Sequence, residues 1–264
     1  MTSMEVRPYE QITVAVADGV CRVTLNRPKR KNAMGPQMVN ELLYALDDAK
    51  ENTEVRVIVI TGAGAAFCAG GDLKQMSSGG EGPKLEPRGG YADLLLRFRA
   101  LGKPTLARIN GVAMGGGLGL VAGCDFGIAK ESAVLGTPEI ERGLFPMMIM
   151  ALLARVVSQR RLLEMMLLGE KMSASDAAKC ELINRAVPDD ELDREVDTLA
   201  AKLASRSPTA MRMGLAAFHH QAELRLAESL PYLEQQLFAI LATDDAREGL
   251  TAFFEKRAPV WTGR

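Results

Sequence analysis

The stretch "AMGGGLGL", Ala113–Leu120, places three consecutive glycines at the head of an apolar, helix-like run, shortly after "PTLARIN". A glycine inside a helix costs about 1 kcal/mol relative to alanine, so three together at a helix start need a reason. Glycines there let a ligand approach the backbone and leave the first N–H groups of the helix free and pointing outward. The helix dipole adds a partial positive charge at the same point. Such a spot suits a developing negative oxygen, and a second N–H from another segment would complete an oxyanion hole. The plain alternative is that the glycines only permit tight packing of helix on strand.

Outward from this stretch, strand and helix signals alternate. "ITVAVADGVCRVTLN" reads as a hairpin turning at Asp18-Gly19. "PQMVNELLYALDDAKEN" has the spacing of an amphipathic helix, with Met38, Leu42, Leu43 and Leu46 on one face. "VRVIVITG" is a continuous apolar run, as in a strand buried on both faces. "SSGGEGPKLEPRGG", Ser77–Gly90, has the composition of a mobile surface loop. A short helix through "YADLLLRFRAL", the strand "PTLARIN" and the strand "CDFGIAKE" complete a repeated strand-strand-helix pattern, an α/β fold with parallel pairing. From Pro208 onward three helical runs follow without strands. The expected division is a core over residues 1–205 and a helical module over 206–264, whose apolar faces would close over the core or over a neighbouring subunit.

The bulk properties narrow the function classes. At 264 residues and 47% hydrophobic, the chain can bury a sizeable core. A formal charge of -1 points to neither nucleic acid nor an anionic membrane. An RNA-binding role finds no aromatic-basic interleaving to support it. The four cysteines, Cys21, Cys68, Cys124 and Cys180, are far apart, which suits reduced thiols better than a disulfide frame or a zinc site. "MTSMEVRPYEQ" has no apolar secretory core, and no run of 18 apolar residues exists. The expectation is a soluble cytoplasmic protein without a metal.

A second glycine-rich stretch, "TGAGAAFCAGGDLK", follows the strand "VRVIVI". Its Gly62-x-Gly64 start fails as a dinucleotide fingerprint, because Phe67 holds the third glycine position and no helix opens there. The other stretch lacks that register too, and has no Lys-Ser/Thr for a P-loop. Taken together, "AFCAGGDLK", then "INGVAMGGGLGL", then "GTPEI" resemble the enoyl-CoA hydratase/isomerase (crotonase) family. The resemblance covers nearly the whole chain, from "VTLNRPKRKNAM" to "FFEKRAPVWTGR". It implies a spiral of strand-strand-helix units with a C-terminal helical trimerisation region, assembled as a homotrimer or a dimer of trimers. It further implies an enzyme, isomerase or lyase, that needs no cofactor beyond the coenzyme A of its acyl-CoA thioester substrate.

By the same resemblance the oxyanion donors are the N–H groups of Gly71 and Gly116, and the acid/base is Glu139, after Pro138. Ala69, Gly70 and Gly71 with Arg27, Lys29 and Arg30 would hold the adenine and phosphates. Lys256 is a further phosphate candidate, although solvated surface explains each basic residue singly as well. Leu73, Gly115, Gly119 and Pro138 fall within the implied binding segments, and Asp72 is implied as a loop cap.

Two departures stand out. Family hydratases carry a second glutamate three residues past the central oxyanion glycine, and here that position is Gly119. Hydration shares its proton work naturally between two carboxylates, whereas moving a double bond needs one group that takes a proton and returns it two carbons away. Glu139 alone therefore favours isomerisation. Hydration with a water held by Glu139 and backbone groups stays open, as does a non-catalytic acyl-CoA binder, which the presence of Glu139 argues against. Glu141 would share a side with Glu139 only in an extended segment; otherwise it is a solvated charge. The second departure is "FPMMIMALL", where Met147, Met148 and Met150 replace small residues. They would pack in the core or line an acyl pocket beside Glu139 and dry it. Tyr91 follows the loop and is a candidate to face that pocket, although nothing in the sequence places it. His219 and His220 read as surface or capping histidines.

Overall fold

The computed structural model describes residues 7–78 and 84–264. The chain opens with β1 (Ile12–Ala17), β2 (Val20–Leu25) and α1 (Pro36–Glu51). One unit follows as β3 (Val57–Gly62), β4 (Ala66–Cys68), α2 (Leu73–Ser78) and α3 (Tyr91–Arg99). The next is β5 (Thr105–Ile109), β6 (Val112–Met114) and α4 (Gly116–Gly123). A third runs β7 (Phe126–Lys130), β8 (Val134–Gly136), α5 (Met147–Leu153) and α6 (Gln159–Leu168). After β9 (Met172–Ser173), α7 (Ala174–Lys179) and β10 (Arg185–Val187), the rest is helical: α8 (Leu192–Ala204), α9 (Pro208–Gln221), α10 (Leu226–Leu241) and α11 (Asp244–Glu255).

The first strand of each unit joins one sheet and the second joins another. The six-stranded sheet is ordered β1-β2-β3-β5-β7-β10, parallel except for the β1–β2 hairpin. The four-stranded sheet is ordered β4-β6-β8-β9. This is the spiral of strand-strand-helix units. The hairpin turns where expected, and both Asp18 (φ 51°) and Gly19 (φ 78°) take the positive φ that a tight two-residue loop demands.

β3 is buried along its whole length because its two faces feed two cores. Ile58 and Ile60 point into the main core, while Val57 and Val59 pack with Leu106 and Ile128 under Leu192, Val196 and Ala200 of α8. α1 is buried nearly all round, more than its amphipathic spacing suggests. Its polar residues have work inside: the Glu41 carboxylate accepts the N–H groups of Glu10, Gln11 and Ile12 at 2.9–3.1 Å, tying down the entry to β1.

The loop reading of Ser77–Gly90 falls partly on residues 79–83, outside the described residues. Ser77 and Ser78 end α2, and 84–88 are held to α1 by Gln37 and Asn40, which bond the backbone of Lys84, Leu85, Glu86 and Arg88. The C-terminal tail is likewise anchored. Buried Asp245 accepts the N–H groups of Thr262 and Gly263, and Trp261 Nε1 donates to the Ser205 carbonyl.

Candidate active site

The spiral brings the two glycine-rich stretches side by side. The segment 69–72 runs beside the loop 31–34: Ala69 N–H donates to the Lys31 carbonyl, Met34 N–H to the Gly70 carbonyl and Asp72 N–H to the Met34 carbonyl. In this parallel bridge between Met34 and Gly71, Gly71 turns its own N–H away from the 31–34 loop. Gly70 takes φ +105°, and a Cβ there would lie 2.9 Å from the Met114 carbonyl oxygen and 3.6 Å from Gly116 N. The edge of the 69–71 segment therefore lies against the start of α4. Gly116 is the first residue of α4, where an N–H has no partner within the helix. An oxygen seated between the Gly71 and Gly116 N–H groups could accept from both.

Each glycine of the triplet answers to a different neighbour. Gly115 N–H donates to the Gly136 carbonyl, its φ is +51°, and a Cβ on it would meet Glu139 Oε1 at 2.7 Å. A Cβ on Gly117 would meet the Cys68 carbonyl oxygen at 2.3 Å. Gly116 is crowded by the Met34 methyl at 3.2 Å and Tyr91 Oη at 3.5 Å. The two readings of the glycines fall on different positions: close packing at 117, and at 116 a first-turn N–H with no partner within the helix.

Glu139 lies on a short 3-10 turn, Pro138–Arg142, which follows β8. Thr137 fixes the turn from below through its hydroxyl, which donates to the Met165 carbonyl at 2.9 Å. Glu139 Oε2 is buried with no hydrogen-bond partner. Burial raises the carboxyl pKa above its ordinary value, against an opposing pull from its own backbone N–H and from Arg142. A desolvated carboxylate with one unpartnered oxygen is suited to accepting and returning a proton. Glu141 is exposed on the same turn. Three residues per turn put it on a different side from Glu139, so the extended geometry that would pair them does not occur.

Several expected binding residues do meet. Lys29 and Arg30 are exposed on a 3-10 turn, Pro28–Arg30, beside Ala69. Arg27 corrects the expectation in part: its guanidinium faces inward, donating to the Ala33 carbonyl at 2.6 Å and pairing with Asp72 at 3.1 Å. Asp72 is buried and also accepts Gln75 N–H at 3.4 Å, capping the start of α2. Others do not converge. Leu73, Met147 and Met148 are 46%, 63% and 50% exposed, so neither methionine packs in the core, and Ile149 takes the inward place instead. Lys256 ends α11, which packs on α9 and α10. His219 is half-buried on α9 rather than superficial, its Nε2 3.9 Å from Asp125.

Three structuring residues carried no functional signal in the sequence. Buried Asn32 and Asn110 both donate to the Ala66 carbonyl, bracing the crossover from β3 to β4. Tyr91 Oη donates to the Gly116 carbonyl at 2.5 Å and would lie 2.2 Å from a Cβ on Gly119. The asparagines do stand inside the two quoted motifs, which is the one signal that could have found them.

Known proteins share this fold. The family model described as enoyl-CoA hydratase/isomerase matches residues 15–264. A Mycobacterium tuberculosis protein named "Probable enoyl-CoA hydratase echA8" is 35% identical over 97% of this chain and 99% of its own length. Human "Enoyl-CoA hydratase domain-containing protein 3, mitochondrial" is 32% identical over 93% of this chain and 81% of its own. The crystal structure of enoyl-CoA hydratase from Bacillus anthracis superimposes with a TM-score of 0.89 at 31% identity, covering 97% of this chain and all of that one. The match spans both glycine segments, the Glu139 turn and the terminal helices, and by it the chain belongs to the enoyl-CoA hydratase/isomerase family of enzymes.

Proposed function

We propose that this enzyme is an enoyl-CoA isomerase, moving the double bond of a 3-enoyl-CoA to the 2-position with Glu139 as its sole proton carrier. The observation that carries the reading is Glu139: a lone desolvated carboxylate with an unpartnered buried oxygen, and no acid at Gly119. Glu139 takes a proton from C2, the thioester oxygen gains charge against the Gly71 and Gly116 N–H groups, and the proton returns at C4. Hydration is the second reading, favoured by the names of the relatives. The two are separated by the wild-type rates on matched chains. Isomerisation of a 3-enoyl-CoA is expected to exceed hydration of crotonyl-CoA at least tenfold; robust hydration without isomerisation would refute the one-carboxylate reading.

The coenzyme A moiety is proposed to lie along 69–71 with its phosphates at Lys29 and Arg30, while Arg27 keeps the two loops together. Coenzyme A is part of the substrate, and no separate cofactor enters the chemistry. Among the described residues no helix is long and apolar enough to cross a membrane, and a cytoplasmic location is part of the proposal.

The proposal extends to assembly through residues 206–264, with residues 1–205 as the catalytic core. Of α10's sixteen residues only Ser229 is buried. Phe218, Leu226, Leu230, Phe238, Phe253 and Phe254 are each at least 59% exposed. That much apolar surface on neighbouring helices marks a contact face. Sedimentation velocity at micromolar concentration should give three or six copies; a stable monomer would refute it.

A further inference from the structure

The glycine at 119 does not leave an empty space. A Cβ there would stand 2.2 Å from Tyr91 Oη and 2.4 Å from Ile149 Cγ2. Tyr91 reaches over from α3, and its ring lies across the first turn of α4, anchored by the bond from its hydroxyl to the Gly116 carbonyl. Burial, then Cys68 and Glu139, push the phenol pKa well above 10. Tyr91 therefore keeps its proton and is no base, and its one proton is committed to Gly116. What it contributes is volume with a fixed oxygen, at the point from which a side chain on residue 119 would project.

We propose that Tyr91 is the specificity-determining residue of this site: its phenol fills the place of a second acid–base group, so that neither a carboxylate nor its water is held over the first turn of α4. This rests on the isomerisation reading. In that reaction a C2–H bond breaks, the double bond shifts from C3–C4 to C2–C3, and a C4–H bond forms, all through the Glu139 carboxylate. Hydration would place a water oxygen on C3 and a proton on C2, and Tyr91 denies that water its site. Gly119 and Tyr91 thus form a pair in which each dictates the other. Restoring a glutamate at 119 by itself would not restore hydration, because the tyrosine oxygen already occupies its root.

Two measurements test this. The first is a melting cycle. Gly119→Ala drives a methyl onto the phenol oxygen and should lower Tm by ~5 °C. Tyr91→Phe removes that oxygen, and every other ring atom lies beyond the 3.2 Å to Ile149 Cβ. The double variant should therefore melt above Gly119→Ala. A double variant melting below both single ones would overturn the shared-space claim, whatever the enzyme turns over. The second is product partition. Tyr91→Ala with Gly119→Glu opens the space and supplies the acid, and should raise the hydration-to-isomerisation ratio at least tenfold. An unchanged ratio in this double variant would overturn the gating role. A wild type that only hydrates refutes the isomerisation reading instead, and the melting cycle still decides whether Tyr91 and residue 119 compete.

Discussion

Glu139→Gln is expected to lower kcat by roughly a thousandfold, within the range that a single general acid–base supplies, while KM for the acyl-CoA changes by no more than about threefold. The amide keeps the shape of the carboxylate but cannot carry the proton. The proposed thioester contacts are the backbone N–H groups of Gly71 and Gly116, and the proposed phosphate contacts are remote side chains. Neither depends on the charge at 139. Calorimetry with acetyl-CoA would separate lost chemistry from lost binding. A variant retaining a tenth of wild-type activity would exclude Glu139 as the proton carrier.

The raised pKa of Glu139 sets two further signs. As a base it must first lose its proton, so wild-type kcat/KM should rise with pH through a value above the ordinary carboxylate range. Its stability effect runs the opposite way. A carboxyl whose folded pKa lies above its unfolded value binds its proton more tightly in the native state, and stability falls as pH rises through that window. Glu139→Gln removes this loss. The variant should therefore be at least as stable as wild type at neutral pH and should lose its advantage in acid. That combination, more stable and inactive, is the signature of a strained functional group rather than a structural one.

How much of this was readable beforehand depended on distance along the chain. Asp18-Gly19 and the all-apolar β3 are local signals, and both acted as expected. The fold and the two glycine segments were carried by ordered motifs. What the sequence did not disclose are the contacts that only the spiral creates. Tyr91 and Gly116 lie 25 residues apart, Asn110 and the Ala66 carbonyl 44, and Arg27 and Asp72 45. No periodicity encodes them. The resemblance implied Arg27 as a phosphate ligand, and only the buried carboxylate opposite explains why it turns inward. Met147 and Met148 could pack in the core or line an acyl pocket by their chemistry, and helix phase excludes the first by putting Ile149 inside and leaving them on the surface. Gly119 was read as a lost carboxylate, and only the phenol against it shows that the glycine is required.

Gly117→Ala is expected to damage both the fold and the site. Its Cβ would lie 2.3 Å from the Cys68 carbonyl oxygen and 2.7 Å from Cys68 Cβ. Unlike the neighbours of Gly119, these atoms belong to the backbone of β4 and to its fully buried side-chain root, and neither can swing aside. Relief requires α4 to move away from β4, and that movement pulls the Gly116 N–H away from the 69–71 segment. Overpacking of this kind costs about 1–3 kcal/mol of stability. Losing one oxyanion donor typically costs about 3 kcal/mol in the transition state, a hundredfold to a thousandfold in kcat. The expected outcome is a folded enzyme with lower Tm, intact affinity for free coenzyme A and kcat reduced at least a hundredfold. The split matters, because a residue that served only packing would lower Tm and leave the kcat of the folded fraction unchanged. Wild-type kcat in a destabilised Gly117→Ala would mean that the closeness of α4 and β4 serves the fold alone, and that the thioester oxygen is held elsewhere.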